Sequence, residues 1–286
     1  MASFGDISLP FQHDPRVLMK YITALVNLGY ETVAVNRTIS PGIKQKGGQD
    51  KIPGPPNLTN LQGLNELKKI FPKLKLLSRI TVVIQDQQQV RFIPGETVQS
   101  YDIVSVQPTN EKLFQQICQT VDCDVISFDM TSRMPFYIKH PQINVAIERG
   151  ISFEILYAPA IRDEGLRKHV ITNALELTRV CKGRNVVISS GAERTIELRG
   201  PYDLINLGVL FGLKPDQSKA AVSKNIRSII YHAEARNKTV KGVVSLEKMP
   251  ISCGVKRASE STEYSKETDV TAKKLKNYLP GVGTKF

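Results

Sequence analysis

The chain has 286 residues, 41% of them apolar, and its 39 lysines and arginines exceed its 27 acidic residues to give a net charge of +12. That length suits one large α/β domain or two smaller ones with a sizeable core. No stretch approaches the apolar length of a membrane span, and the opening MASFGDISLP has neither a positively charged start nor a long apolar run, which argues against a secretory signal. The surplus charge points to a polyanionic partner, nucleic acid before anionic membrane, unless it is incidental. Cys118, Cys123, Cys181 and Cys253 form no CxxC pair and no zinc spacing, as expected of reduced thiols in a cytosolic or nuclear protein.

Taken in order, the chain alternates short apolar strands with helices. Phe4–Leu9 reads as a strand. Asp14 caps a helix with Pro15 at its first position, Leu18, Tyr21, Ile22, Leu25 and Leu28 on one face, and Gly29 at its end. Glu31–Asn36 is the second strand, which completes a βαβ unit with parallel pairing. Residues 37–60 break the rhythm with Pro41, Gly42, Gly47, Gly48, Pro53, Gly54, Pro55 and Pro56 and predict a long loop insertion. From Arg37 to Arg79 nine basic residues face two acidic ones, so this segment is either a solvated loop or a polybasic arm for phosphates.

A helix at about 61–71 leads to strand Leu76–Ile84, and strand Asp102–Val106 leads to a helix capped by Asn110. Asp124–Phe128 is the fifth strand, followed by a short helix over Ile143–Arg149 and a sixth strand over Ser152–Tyr157. Asp163 caps a long helix with Leu166, Val170, Ala174, Leu177 and Cys181 inward. Strand Asn185–Ser189 follows, and Asn225 is expected to cap a closing helix bearing Ile226, Ile229, Ile230 and Ala233. Continuous apolar runs, rather than alternation, predict strands covered on both faces. Seven of them predict a TIM-barrel-like (β/α) barrel over residues 1–245, with functional loops at the C-terminal strand ends. An open doubly wound sheet is the alternative, but no glycine-rich loop follows the first strand. Residues 246–286 are rich in Ser, Thr, Lys and Glu and read as a disordered tail. Lys256-Arg257 and Lys273-Lys274-Leu275-Lys276 in that tail would weakly suit nuclear import.

The segment Cys181–Leu213 organises this reading. A strand delivers Arg194 and Arg199 to a loop, a polar ribbon Glu197-Leu198-Arg199 follows, and Gly200-Pro201 opens a helix that Gly212 can end. Basic side chains beside unpaired helix N–H groups would hold an anion. Alternatively, the two arginines pair with Glu193 and Glu197. Catalytic signals are missing. His13, His140, His169 and His232 form no HxH or HExxH, and the strand-end carboxylates Asp6, Asp129 and Glu193 are dispersed. No GxSxG, Walker A or Cys–His signal appears, so neither a catalytic residue nor a metal ligand is assigned. The second half instead places Arg133, Lys139, Arg162, Arg167, Lys168, Lys182, Arg184, Arg194 and Arg199 in loops or at helix ends, among Phe136, Tyr137, Tyr157 and Tyr202. Stacking and phosphate contact use such mixtures, although the aromatics equally suit core packing. The RNA-binding candidates are Arg194, Arg199, Lys182, Arg184, Arg133, Lys139 and Arg79.

Several long segments also resemble one family. MPFYIKHPQINVAIERGISFEILYAPAIRD (Met134 to Asp163), VCKGRNVVISSGAERTIELRGPYDLINLGVLFGL (Val180 to Leu213), KAAVSKN (Lys219 to Asn225), LLSRITVVI and YDIVSV are similar to the thirty-kilodalton protein subunit of ribonuclease P and ribonuclease MRP, in the same order. The resemblance implies a barrel related to the polymerase-and-histidinol-phosphatase phosphoesterases. It also implies a non-catalytic subunit of an RNA-based endonuclease. Ribonuclease P removes the 5′ leader of precursor tRNA, and the MRP particle processes ribosomal RNA precursors. The implied partners are the particle's RNA, precursor tRNA indirectly, and a small ferredoxin-like subunit, with two copies of this chain per particle. Nuclear and nucleolar location follows from the resemblance, as does magnesium on the RNA rather than a cofactor on this chain. The phosphoesterase relatives carry HxH after the first strand, where this chain reads Asp6-Ile7-Ser8-Leu9. A metal-dependent phosphoesterase is the alternative function.

Overall fold

The computed structural model describes residues 3–40, 52–59, 61 and 63–238. The expected tail with its lysine patches, and residues 41–51 of the basic insertion, lie outside the described residues. Seven strands form one parallel sheet in sequence order: β1 (Gly5–Pro10), β2 (Thr32–Ile39), β3 (Lys75–Ile84), β4 (Ile103–Pro108), β5 (Val125–Ile126), β6 (Ser152–Leu156) and β7 (Val186–Ser189). All seven expected strands are present. β2 extends three residues further because Thr38 and Ile39 stay in register with Thr81 and Val82 of β3.

The strands curl into a nearly closed barrel. Between β7 and β1 the regular ladder gives way to bonds from Ser190 and Gly191. The Gly191 N–H donates to the Ser8 carbonyl at 3.0 Å, and the Ser190 N–H donates to the Asp6 carboxylate at 3.1 Å. Asp6 also takes the Ser8 N–H at 3.1 Å, where the register of β1 shifts. Burial pushes the Asp6 carboxyl above the ordinary carboxylate range, and the bonds from Ser190 and Ser8 work against that push.

Helices cover the outside. They are α1 (Pro15–Asn27), α2 (Leu64–Ile70), α3 (Glu96–Gln99), α4 (Glu111–Thr120), α5 (His140–Glu148), α6 (Ala158–Arg162), α7 (Glu164–Cys181), α8 (Pro201–Leu210), α9 (Pro215–Ala221) and α10 (Lys224–Lys238). The caps read from sequence hold at three starts. Asp14 accepts from the Arg16 N–H at 2.8 Å, Asn110 from Leu113 at 2.9 Å, and Asp163 from Gly165 at 2.6 Å. Asn225 does not cap. It lies inside α10 and donates its amide to the Val186 carbonyl at 2.7 Å, which ties the helix to β7. The short α3, α6 and α9 carry too little periodicity for a sequence reading to find. The expected ribbon at Glu197–Arg199 is instead a 3-10 turn over Thr195–Glu197. Gly208 lets α8 sit directly on α9, since a Cβ there would lie 2.0 Å from the Ser218 hydroxyl.

Residues two apart on a strand share a face. Val33, Val35, Ile80, Val82, Val104, Val106, Phe153, Ile155, Val186 and Ile188 lie in the larger core beneath the helices. On the inner face Ile7, Ala34, Leu77, Ile103, Val125 and Val187 form a separate cluster with Ile226, Ile229, Ile230 and Ala233 of α10. α10 therefore plugs the N-terminal end of the barrel. An ionic clasp at the same end reinforces it. His232 bonds Asp124 at 2.7 Å and the Arg149 carbonyl at 3.1 Å, while Arg236 reaches Asp124 at 3.1 Å. His232 is half-buried in this clasp. Cys118, Cys123 and Cys181 are buried and unpaired, and burial pushes the thiols of Cys118 and Cys181 up to about 12.

Candidate nucleic-acid interface

The structure spreads the seven candidate residues over the molecule. Arg79, in the middle of β3, turns into the barrel and is 0% exposed. Its guanidinium forms a fork on Glu154 of β6, with both bonds at 2.5 Å. It also donates to the Ile7 carbonyl at 2.9 Å and the Ser105 hydroxyl at 3.0 Å. The expectation that Arg79 meets RNA is corrected here. The inner face of β3 has no access to a phosphate, and an apolar-looking strand can carry one arginine inward only because a carboxylate waits across the barrel.

Lys182 and Arg184 precede β7, whereas Arg194 and Arg199 follow it, so the strand separates the two pairs to opposite ends of the barrel. Arg184 donates to the Asn144 side chain at 2.7 Å. Lys139 is exposed and pairs with Glu111 at 2.6 Å. Arg133 and Lys182 are exposed and converge on a groove beside α7.

The C-terminal rim is built on the turn after β7. Glu197 is 2% exposed there and accepts from Arg162 with two bonds of 3.0 Å, from the Arg194 Nε at 3.0 Å and from the Glu193 N–H at 3.0 Å. Burial alone would raise the Glu197 carboxyl, but the bonds from Arg162 and Arg194 outweigh it and hold it at about 2. Arg162 also pairs with Glu193 at 2.6 Å. The turn is anchored by three tyrosines. The Tyr21 hydroxyl donates to the Glu193 carbonyl, the Tyr30 hydroxyl donates to the Arg199 carbonyl at 2.9 Å, and the Tyr157 hydroxyl accepts from the Arg199 N–H at 3.1 Å.

The two arginines at the centre of the sequence reading therefore differ. Arg194 pairs with Glu197, yet its side chain is 64% exposed, so its outer nitrogens face solvent. Arg199 is half-buried and folds its guanidinium onto the Ile196 and Leu198 carbonyls at 2.7 and 2.9 Å. The proposed anion site at the start of α8 is thus only half formed. Arg162 is the organising cation that sequence reading counted among nine without distinguishing it. Its place follows from the short helix α6, whose last residue it is and which no motif announces. Among the described residues no group of three or more His, Cys, Asp or Glu side chains could hold a metal ion.

The family model for RNase P subunit p30 matches residues 3–238. The chain belongs to this family. It is 40% identical over 267 residues to the mouse (Mus musculus) ribonuclease P protein subunit p30, covering 93% of this chain and 96% of the relative. It is 33% identical to the probable ribonuclease P protein subunit 3 of Schizosaccharomyces pombe, covering 80% and 91% of the two chains. It is 29% identical to the ribonuclease P/MRP protein subunit RPP1 of Saccharomyces cerevisiae, covering 79% and 76%. A chain in the cryo-EM structure of archaeal ribonuclease P with mature tRNA superimposes with a TM-score of 0.63 at 18% identity, over 86% of this chain and 98% of that one. That superposition shows that the two chains share a fold.

Proposed function

We infer that this chain is a protein subunit of ribonuclease P, and of the related MRP particle, that binds and positions RNA while the RNA carries out cleavage. The observation that carries the reading is a p30 family match spanning nearly the whole described barrel. The charge of +12 and the exposed Arg194 at the rim suit contact with an RNA backbone. The site chemistry supports a non-catalytic role. Asp6, the second residue of β1 and buried, spends its carboxylate on the Ser8 and Ser190 N–H groups. In this reading magnesium resides on the RNA and the chain needs no cofactor. A small ferredoxin-like subunit joins it, two copies of the chain enter each particle, and the particle works in the nucleus and nucleolus.

Affinity purification of the tagged chain from nuclear extract tests this. Pre-tRNA cleavage should co-purify and disappear when bound RNA is digested. Cleavage that survives RNA removal, or stoichiometric zinc or manganese with phosphoester hydrolysis by the chain alone, would establish the phosphoesterase alternative instead. Within the rim, Arg194→Ala is expected to lower RNA affinity while changing stability by about 1 kcal/mol, because Glu197 keeps Arg162 and the Glu193 N–H. Unchanged RNA affinity in that variant would remove Arg194 from the interface.

A further inference from the structure

The rim is one of two basic regions brought together by the fold. The other is a groove of about 1280 Å³ along α7, between the segment after β5 and the α8–α9 turn. That volume exceeds a typical small-molecule pocket and suits a segment of a polymer. Arg133, Arg179, Lys182 and Lys214 line it, with Glu176 as the acidic member. Arg179 and Glu176 satisfy each other at 2.8 Å. Arg133, Lys182 and Lys214 are exposed and supply the uncompensated charge.

The loops that carry these cations are held in place by buried or bridging amides. Gln217 donates to the Lys182 carbonyl at 3.0 Å and accepts from the Lys214 N–H at 3.0 Å, so one side chain sets two lysine-bearing turns side by side. Gly183 makes room for it, with a φ of +68° and Gln217 within 2.4 Å of where a Cβ would stand. On the other wall the buried Asn173 amide donates to the Met130 and Ser132 carbonyls at 3.2 and 2.7 Å, fixing the loop that presents Arg133. The same loop exposes 76% of Tyr137, an aromatic ring on the groove with its face available.

We propose that this groove binds single-stranded RNA, with a base stacked on Tyr137 and the backbone phosphates on Arg133, Lys182 and Lys214. The proposal rests on the reading of the chain as a subunit of an RNA particle. Preset cations suit a phosphate chain, and an exposed aromatic ring suits any base.

The test uses the full chain, a fluorescent oligouridine for affinity, and photo-crosslinking with mapping of the attached peptides. Crosslinks should fall on the segment containing Tyr137. Tyr137→Ala should weaken binding roughly tenfold and Tyr137→Phe should restore it, because the ring rather than the hydroxyl makes the contact. Lys182→Ala with Lys214→Ala should lower the slope of log affinity against log salt by about 1.4, the value for two lost phosphate contacts on a single strand. Crosslinks confined to other surfaces, or affinity and slope unchanged in all variants, would overturn the groove assignment. So would displacement by an acidic polyglutamate peptide that itself crosslinks at Tyr137 when the RNA does not, which would make the site a peptide groove. If pre-tRNA cleavage still co-purifies with the chain in those cases, the subunit reading stands and only this site falls.

Discussion

The two ends of the barrel use opposite chemistry. At the N-terminal end α10 presses Ile226, Ile229, Ile230 and Ala233 onto the first inward layer of the strands, and a histidine clasp reinforces the contact. At the C-terminal end the turn after β7 is held by Arg162, Arg194, Glu193 and Glu197, with tyrosines beneath. Between them lies the fully buried Arg79–Glu154 pair. One end is stabilised by removing apolar surface from water, about 1.5–3 kcal/mol for each large side chain fully buried. The other is shaped by charges that partly cancel and leave outward-facing cations. A scaffold for RNA needs both: an end that holds the strands together and an end that can display charge without unfolding.

The largest effect should come from the layer between the ends. Glu154→Ala strands the Arg79 guanidinium in a dry interior and is expected to cost about 3–5 kcal/mol. Replacing both residues with Met and Leu should recover most of that. Urea unfolding of the three proteins measures it, and a single variant losing under about 1 kcal/mol would mean that water reaches the interior.

At the plugged end, Ile229→Ala removes a buried side chain facing the inner strand layer and should cost about 2–4 kcal/mol. Unfolding midpoints again decide, and a near-neutral result would show that α10 is not needed to close the barrel. At the rim, Arg162→Ala should cost less, about 1–3 kcal/mol, because Glu197 keeps Arg194 and the backbone N–H groups. If its loss matches that of Ile229→Ala, the rim is as much a structural element as the plug.

The smallest effects separate the ends by pH. Glu197 is held at about 2, below its ordinary 4.5. Its contribution is therefore full above about 4.5 and lost as pH falls towards 2. His232 is raised above its ordinary 6.5, first by its bond to Asp124, with burial opposing. Its contribution is full below about 6.5 and lost as pH climbs through the raised value. Unfolding midpoints against pH should decline on the acid side in a way that Arg162→Ala flattens. They should decline on the alkaline side in a way that His232→Asn flattens. If one variant flattened both limbs, the two ends would be coupled rather than independent.

These contrasts also mark what can be read without coordinates. The seven strands were legible because a strand buried on both faces must be apolar along its length, and Val186–Ser189 or Ile103–Val106 leave no other choice. The caps at Asp14, Asn110 and Asp163 were legible because the unpaired N–H groups of a helix start need a nearby acceptor. The long ordered motifs pointed to the p30 family, and the family model agrees. The site was legible only in kind. Composition shows that the chain is basic, but it cannot show that Arg79 turns inward to Glu154, 75 positions away. Nor can it show that Arg199 folds onto the Ile196 and Leu198 carbonyls while Arg194 reaches out. The sequence by itself determined the barrel, its caps and its charge, because those depend on local periodicity and sums over residues. Only the tertiary structure decided which cations are spent inside and which remain for a partner, because pairs such as Arg79–Glu154 and Arg162–Glu197 join residues that are neighbours in space and distant along the chain.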